Sequence, residues 1–107
     1  MSIANQDLDV LEQRLRLGAG FHRDDRPRVL EELAALSRHL VHWKPERVDI
    51  SLSVKHRETL QQRVMLEVRL PRWPPLIAHY SGTNLDHALI EVRKLMIREI
   101  EEERERS

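Results

Sequence analysis

The chain is 107 residues long and 40% hydrophobic, with 18 Lys+Arg against 18 Asp+Glu, six histidines and no cysteine. That length supports one core rather than two. Balanced charge excludes a global pull toward nucleic acid, and missing thiols exclude disulfides and thiolate metal sites. No apolar run approaches the ~20 residues that span a bilayer, and the N-terminus lacks the basic start and apolar centre of a signal peptide. The expectation is one soluble cytoplasmic domain over 1–107.

Residues 1–9 are polar and expected to be flexible. From Leu11 to Phe21 the pattern predicts a strand with Leu11, Leu15, Leu17, Ala19 and Phe21 on one side and Glu12, Arg14 and Arg16 on the other. Gln13 interrupts the apolar row, and Gly18 and Gly20 weaken the strand or mark a bulge. Asp24 or Asp25 then caps a helix with Pro27 in its first turn, where a missing N–H costs little. Val29, Leu33, Leu36, Leu40 and Trp43 recur at helical spacing. The same projection places Arg28, Glu31, Ala35, Arg38, His39 and His42 outward. Lys44-Pro45 ends the helix.

The clearest strand is Arg47–Val54, where Val48, Ile50, Leu52 and Val54 alternate with Asp49, Ser51 and Ser53. A period of two puts these sets on opposite faces. Lys55–Gln62 reads as a polar turn. Arg63–Leu70 is the next strand, with Val64, Leu66, Val68 and Leu70 inward. Pro71, Pro74 and Pro75 stop it, and Leu76–Ser81 forms a fourth strand with Ile77 and His79 outward. Gly82-Thr83-Asn84 turns the chain and caps a last helix. Its inner face is Leu85, Ala88, Leu89, Val92, Leu95, Met96 and Ile100, and its outer stripe is His87, Glu91, Lys94, Arg98 and Glu101. Residues 101–107 are a charged tail, either a helical extension or frayed.

The order β-α-β-β-β-α sets the first two strands parallel through a crossover and makes strands two to four an antiparallel meander. Only one sheet face is apolar, so both helices pack on it. The expected fold class is α+β: a two-layer sandwich of a four-stranded mixed sheet with both helices on one face.

Five stretches in that order carry a resemblance: L-R-L-G-A-G-F, L-A-A-L-S-R-H, R-V-D-I-S-L-S-V, L-I-A-H-Y-S-G and R-K-L-M-I-R, spanning Leu11 to Arg98. Together they resemble the ribosome hibernation-promoting factor family, also called ribosomal subunit interface or sigma-54 modulation proteins. Stopping just past the last helix, the chain looks like the short type without the dimerising C-terminal domain. The resemblance implies a monomeric partner of the small ribosomal subunit and its 16S-type rRNA, bound near the decoding region and inhibiting translation under stress or in stationary phase. It also implies that basic residues on the outward helix faces contact RNA. Lys94 matches a usual lysine, Arg98 falls within one residue of a usual arginine, and Arg38 sits where a basic residue is common. Glu31, Glu32 and Ala35 stand where members often carry lysines, and Leu85 replaces a usual aromatic.

Lysine and arginine on such faces bind RNA by neutralising phosphates. Arg28, Arg38, His39, His87, Lys94 and Arg98 are the candidate RNA-binding residues. The alternative is a solvated face with local charge pairs such as Glu91 beside Lys94. Six histidines add positive charge below pH ~6.5. His39-x-x-His42 lacks a third ligand at a recognisable offset, so no metal site and no cofactor are expected. The open sheet face, with Arg14, Arg16, Lys55, Arg69 and His79 among Glu12, Asp49 and Glu67, reads as a mixed-charge surface. Trp73 between prolines is either a partner contact or a lid on nearby core. No Gly-rich phosphate loop or G-x-S-x-G elbow is present. Asp49 with His56 or His79 can be drawn as an acid–base pair, but nothing in the sequence places either in a pocket, so an enzyme is not expected. A protein–protein interaction domain on the same fold, without RNA binding, is the second reading.

Overall fold

Strands β1 (Leu15–Leu17), β2 (Asp49–Lys55), β3 (Arg63–Arg69) and β4 (Leu76–Ser81) form one sheet in that spatial order in the computed structural model, which describes residues 9–106. β1 pairs with β2 in parallel, and β2–β3 and β3–β4 are antiparallel. Ile50 lies opposite Val68, Leu52 opposite Leu66, and Leu66 opposite Ala78. All of these are buried, so the alternation read in the sequence becomes one continuous apolar sheet face.

Two helices cover that face. α2 (Arg26–Leu33) buries Val29 and Leu33, and α3 (Leu85–Arg106) buries Ala88, Leu89, Val92, Met96 and Ile100. These residues share one core cluster with the inward residues of all four strands. Each fully buried aliphatic side chain is worth about 1.5–3 kcal/mol of transfer free energy. The α+β sandwich with a mixed four-stranded sheet is therefore as expected. Among the described residues no helix is long and apolar enough to cross a membrane.

The first element differs from its expectation. Val10–Arg14 is a short helix, α1, and the strand is confined to Leu15–Leu17. Asp9 and Glu12 form a reciprocal capping box: the Asp9 carboxylate accepts from the Glu12 N–H at 3.0 Å, and the Glu12 side chain accepts from the Asp9 N–H. Satisfying two orphan donors this way starts a helix where alternation alone suggests a strand. Asp9, expected to belong to a loose segment, also accepts a bond from the Ser37 hydroxyl. Residues 1–8 of that segment lie outside the described residues.

Beyond Leu17 the chain still follows β2, with the Gly18 N–H donating to Leu52 O and the Val54 N–H donating to Ala19 O. Gly20 has φ +87°, and a Cβ there would meet Val54 O at 2.2 Å. Only glycine permits this approach, so regular strand ends here. Ala19 is exposed, not inward as expected, while Phe21 is half-buried and packs against the core.

The second departure is the expected helix over 24–44. It is α-helical only to Leu33 and continues as a 3₁₀ segment over Ala34–Leu40. Tightening from 3.6 to 3.0 residues per turn rotates the later side chains relative to an α-helical projection. Arg28, Glu31, Arg38 and His42 remain exposed, whereas Ala35 and His39, expected outward, are half-buried.

Candidate nucleic-acid interface

The outer surface of the helical layer holds the six candidate residues, and their ion pairs decide what that surface offers. Arg28 is bonded to Asp86, at the first turn of α3. His39 Nδ1 lies 3.1 Å from Glu101. Together with Arg93, whose guanidinium donates to the Glu32 carbonyl at 2.8 Å, these contacts tie α3 to α2 and its 3₁₀ continuation. Arg93 meets that carbonyl just before the helix tightens, where α-helical carbonyls lose their own partners. Two of the candidate cations thus serve as helix-to-helix ties.

Along α3 itself, Glu91 stands 3.8 Å from His87 and 3.9 Å from Lys94. His87 also packs edge-on against Tyr80, with ring centroids 5.5 Å apart. Lys94 stays largely exposed, with 64% of its side chain accessible, so its pair with Glu91 is loose and solvent-screened. Arg38 and Arg98 are exposed and form no ion pair among the described residues. The six residues therefore lie on the helical layer, but four of them have a carboxylate within 4 Å. The cationic surface that remains is Arg38, Lys94 and Arg98.

The two histidines of His39-x-x-His42 turn apart. His39 meets Glu101, while His42 packs edge-on against Trp43 with centroids 6.1 Å apart. Among the described residues no three metal-binding side chains converge. Asp49 is held by Arg14 at 3.4 Å, and pairs in register with Arg69, away from the Met65–His79 pair toward the other end of the sheet. Trp73 is half-buried and meets Trp43 in a T-shaped contact, centroids 5.0 Å apart. That contact closes the end of the core where the R-W-P-P connection passes.

A solved ribosomal subunit interface protein from Coxiella burnetii superposes on this chain with a TM-score of 0.65. The match covers 85% of this chain and 97% of that one at 9% sequence identity. The fold is that of a ribosomal subunit interface protein. No family model matches the chain, and no curated protein matches it by sequence. At this identity the likeness lies in the backbone, so the helix-face charges have to be read from this chain's own side chains.

Several arginines that a charge count credits to the surface are bound to the framework instead. Arg26 donates to the carbonyls of Leu15 and Glu12, at 2.8 and 2.9 Å, and Arg14 to that of Val48 at 2.9 Å. Arg57 grips Asp25 through two bonds, at 2.8 and 3.0 Å, and lies over the Phe21 ring at 5.5 Å. That grip holds the Asp25 carboxyl down at about 2. Nothing in the local sequence marks Arg26, Arg57 or Arg93 for these roles. Only the tertiary approach of distant segments gives them one.

Proposed function

We propose that this chain is a ribosome-associated RNA-binding factor that docks its helical layer on 16S-type rRNA of the small subunit near the decoding region. Occupying that region inhibits translation under stress or in stationary phase. The action is by shape and electrostatics, as a cytoplasmic monomer, with no bond made or broken. The observation that carries the reading is the shared fold with a ribosomal subunit interface protein over 85% of the chain. Arg38, Lys94 and Arg98, exposed on the helical layer, supply cations for phosphate oxygens.

Sucrose-gradient sedimentation with small subunits tests it directly. The chain is expected to co-sediment at low salt and dissociate at high salt, and Lys94→Glu combined with Arg98→Glu is expected to weaken association at least tenfold. Co-sedimentation that ignores both salt and these substitutions removes the electrostatic reading.

A second reading has its own support. Carboxylates beside Arg28, His39, His87 and Lys94 leave much of the helical layer close to neutral, as suits a protein-binding domain on this fold. The exposed Val41, 70% accessible, and the Trp43–Trp73 pair then supply an apolar contact centred on Trp73. Absence of association with ribosomes at any salt concentration favours this reading.

A further inference from the structure

The sheet face turned away from the helices is not uniformly mixed in charge. Toward the Asp49 end its acids are occupied: Arg14 lies 3.4 Å from Asp49, and Arg69 Nε donates to Glu67 at 2.9 Å. At the other end of β2 and β3 lies a pocket of about 230 Å3 lined by Ser53, Lys55, Arg63, Met65 and His79. Lys55 and Arg63 are direct cross-strand partners, an arrangement of like charges that destabilises a sheet. Arg63 Nη2 reaches His79, 3.1 Å from Nδ1 and 3.3 Å from Nε2. Guanidinium and ammonium groups only donate, and no carboxylate lines the pocket. Glu99 of α3, whose carboxyl burial pushes above its ordinary value while a backbone bond from Ile77 opposes the rise, lies outside that lining.

Two facing cations with no anion between them, a hydroxyl and an imidazole at their side, and a concave floor form a donor set for an oxyanion. We propose that this pocket binds a phosphate group, either free in solution or carried by a single-stranded RNA backbone. Arg63 and Lys55 neutralise its charge, and Ser53 and His79 hydrogen-bond its remaining oxygens. Arginine and lysine suit this role because charge-assisted bonds to phosphate are short and about twice as strong as neutral ones. An anion seated here also relieves the Lys55–Arg63 repulsion. The site is on the face opposite the helical layer and stands independently of the proposed ribosome docking.

Amide chemical shifts of the full chain, titrated with inorganic phosphate at constant ionic strength, test the site. The expectation is saturable shifts at residues 53–55, 63–65 and 79–81, with a midpoint on the order of millimolar. Arg63→Gln and Lys55→Gln are each expected to weaken binding about tenfold, with circular dichroism confirming the fold, so that either folded variant carries the test. Lys94→Glu with Arg98→Glu is expected to leave these shifts unchanged, which separates this site from the helical layer. A short oligouridylate that shifts the same amides more tightly identifies RNA as the source of the phosphate. A response to inorganic phosphate alone identifies the free anion. No saturable shift with either probe, or shifts insensitive to both substitutions, overturns the proposal.

Discussion

Gln62 is the buried polar side chain of the core's rim, with no accessible surface. Its amide oxygen accepts from the Glu58 N–H at 2.9 Å, and its Nε2 donates to Gly82 O at 2.6 Å. The Gly82 N–H in turn donates to Gln62 O at 3.2 Å. One side chain thus pins the β2–β3 loop to the turn that launches α3. The loop needs such a pin, since His56 and Glu58 both hold positive φ, at 53° and 65°, conformations that cost non-glycine residues free energy. Removing the amide takes away the partners of the Glu58 N–H and the Gly82 carbonyl, both only partly buried, and each such bond is worth about 0.5–1.5 kcal/mol. Gln62→Ala is expected to destabilise the protein by about 1–3 kcal/mol, lowering the thermal midpoint by about 5 °C or more. A urea-unfolding loss below ~1 kcal/mol refutes the pin. In the sequence Gln62 is one more residue of a polar turn. Nothing local distinguishes it from Gln61, because its second partner lies 20 residues away.

Elements were legible where a period runs long enough to dominate. Strands β2, β3 and β4 and helix α3 stand where alternation and the apolar stripe place them, since a one-residue slip would turn every inward side chain to water. Legibility failed where a short local signal competed with the pattern. The Asp9–Glu12 box turns Val10–Arg14 helical, and the tightening at Ala34 swings His39 from solvent toward Glu101. Connections between elements left no periodic trace at all. The Asp25–Arg57 bridge joins the 3₁₀ turn Arg23–Asp25, which leads into α2, to the loop after β2. Two Arg57 hydrogen bonds, and a third from the His22 N–H at 2.7 Å, favour the ionised carboxylate and lower its pKa from 3.8 to about 2. A carboxyl depressed in the folded state stabilises it fully above the unfolded value and loses that contribution as pH falls through the folded one. The bridge is therefore expected to contribute about 1–2 kcal/mol near neutrality, discounted for solvent screening, and to lose it between about pH 4 and pH 2. Asp25→Asn should be less stable than the native chain at pH 6, with the gap closing toward pH 2. A gap that is constant across that range shows that the bridge does not titrate as its geometry demands.

For the molecule as a whole, equal counts of acidic and basic residues conceal an uneven distribution. Arg14, Arg26, Arg57 and Arg93 are bound to backbone carbonyls or carboxylates of the framework. Arg28 and His39 tie the helices together, and Glu91 serves His87 and Lys94 at once. Of the six candidates, the helical layer can then offer RNA Arg38 and Arg98 without an ion pair among the described residues, and Lys94 through a loose, exposed one. Affinity for a polyanion falls with salt by a log–log slope of roughly −0.7 to −0.9 for each phosphate neutralised. On the proposed reading, ribosome affinity should fall with a slope of about −2 to −3, or about 20- to 40-fold between 50 and 200 mM salt. A surface on which all six candidates met phosphate would give a slope nearer −5. Glu91→Gln sharpens the contrast, because it removes the charge shared by His87 and Lys94 while keeping the side chain's shape. It is expected to tighten binding and steepen the slope by about one. Titrating labelled protein against small subunits over a series of chloride concentrations measures both quantities. If Glu91→Gln binds no tighter than the native chain, Lys94 does not face RNA, and the docking surface lies elsewhere than the outer stripe of α3.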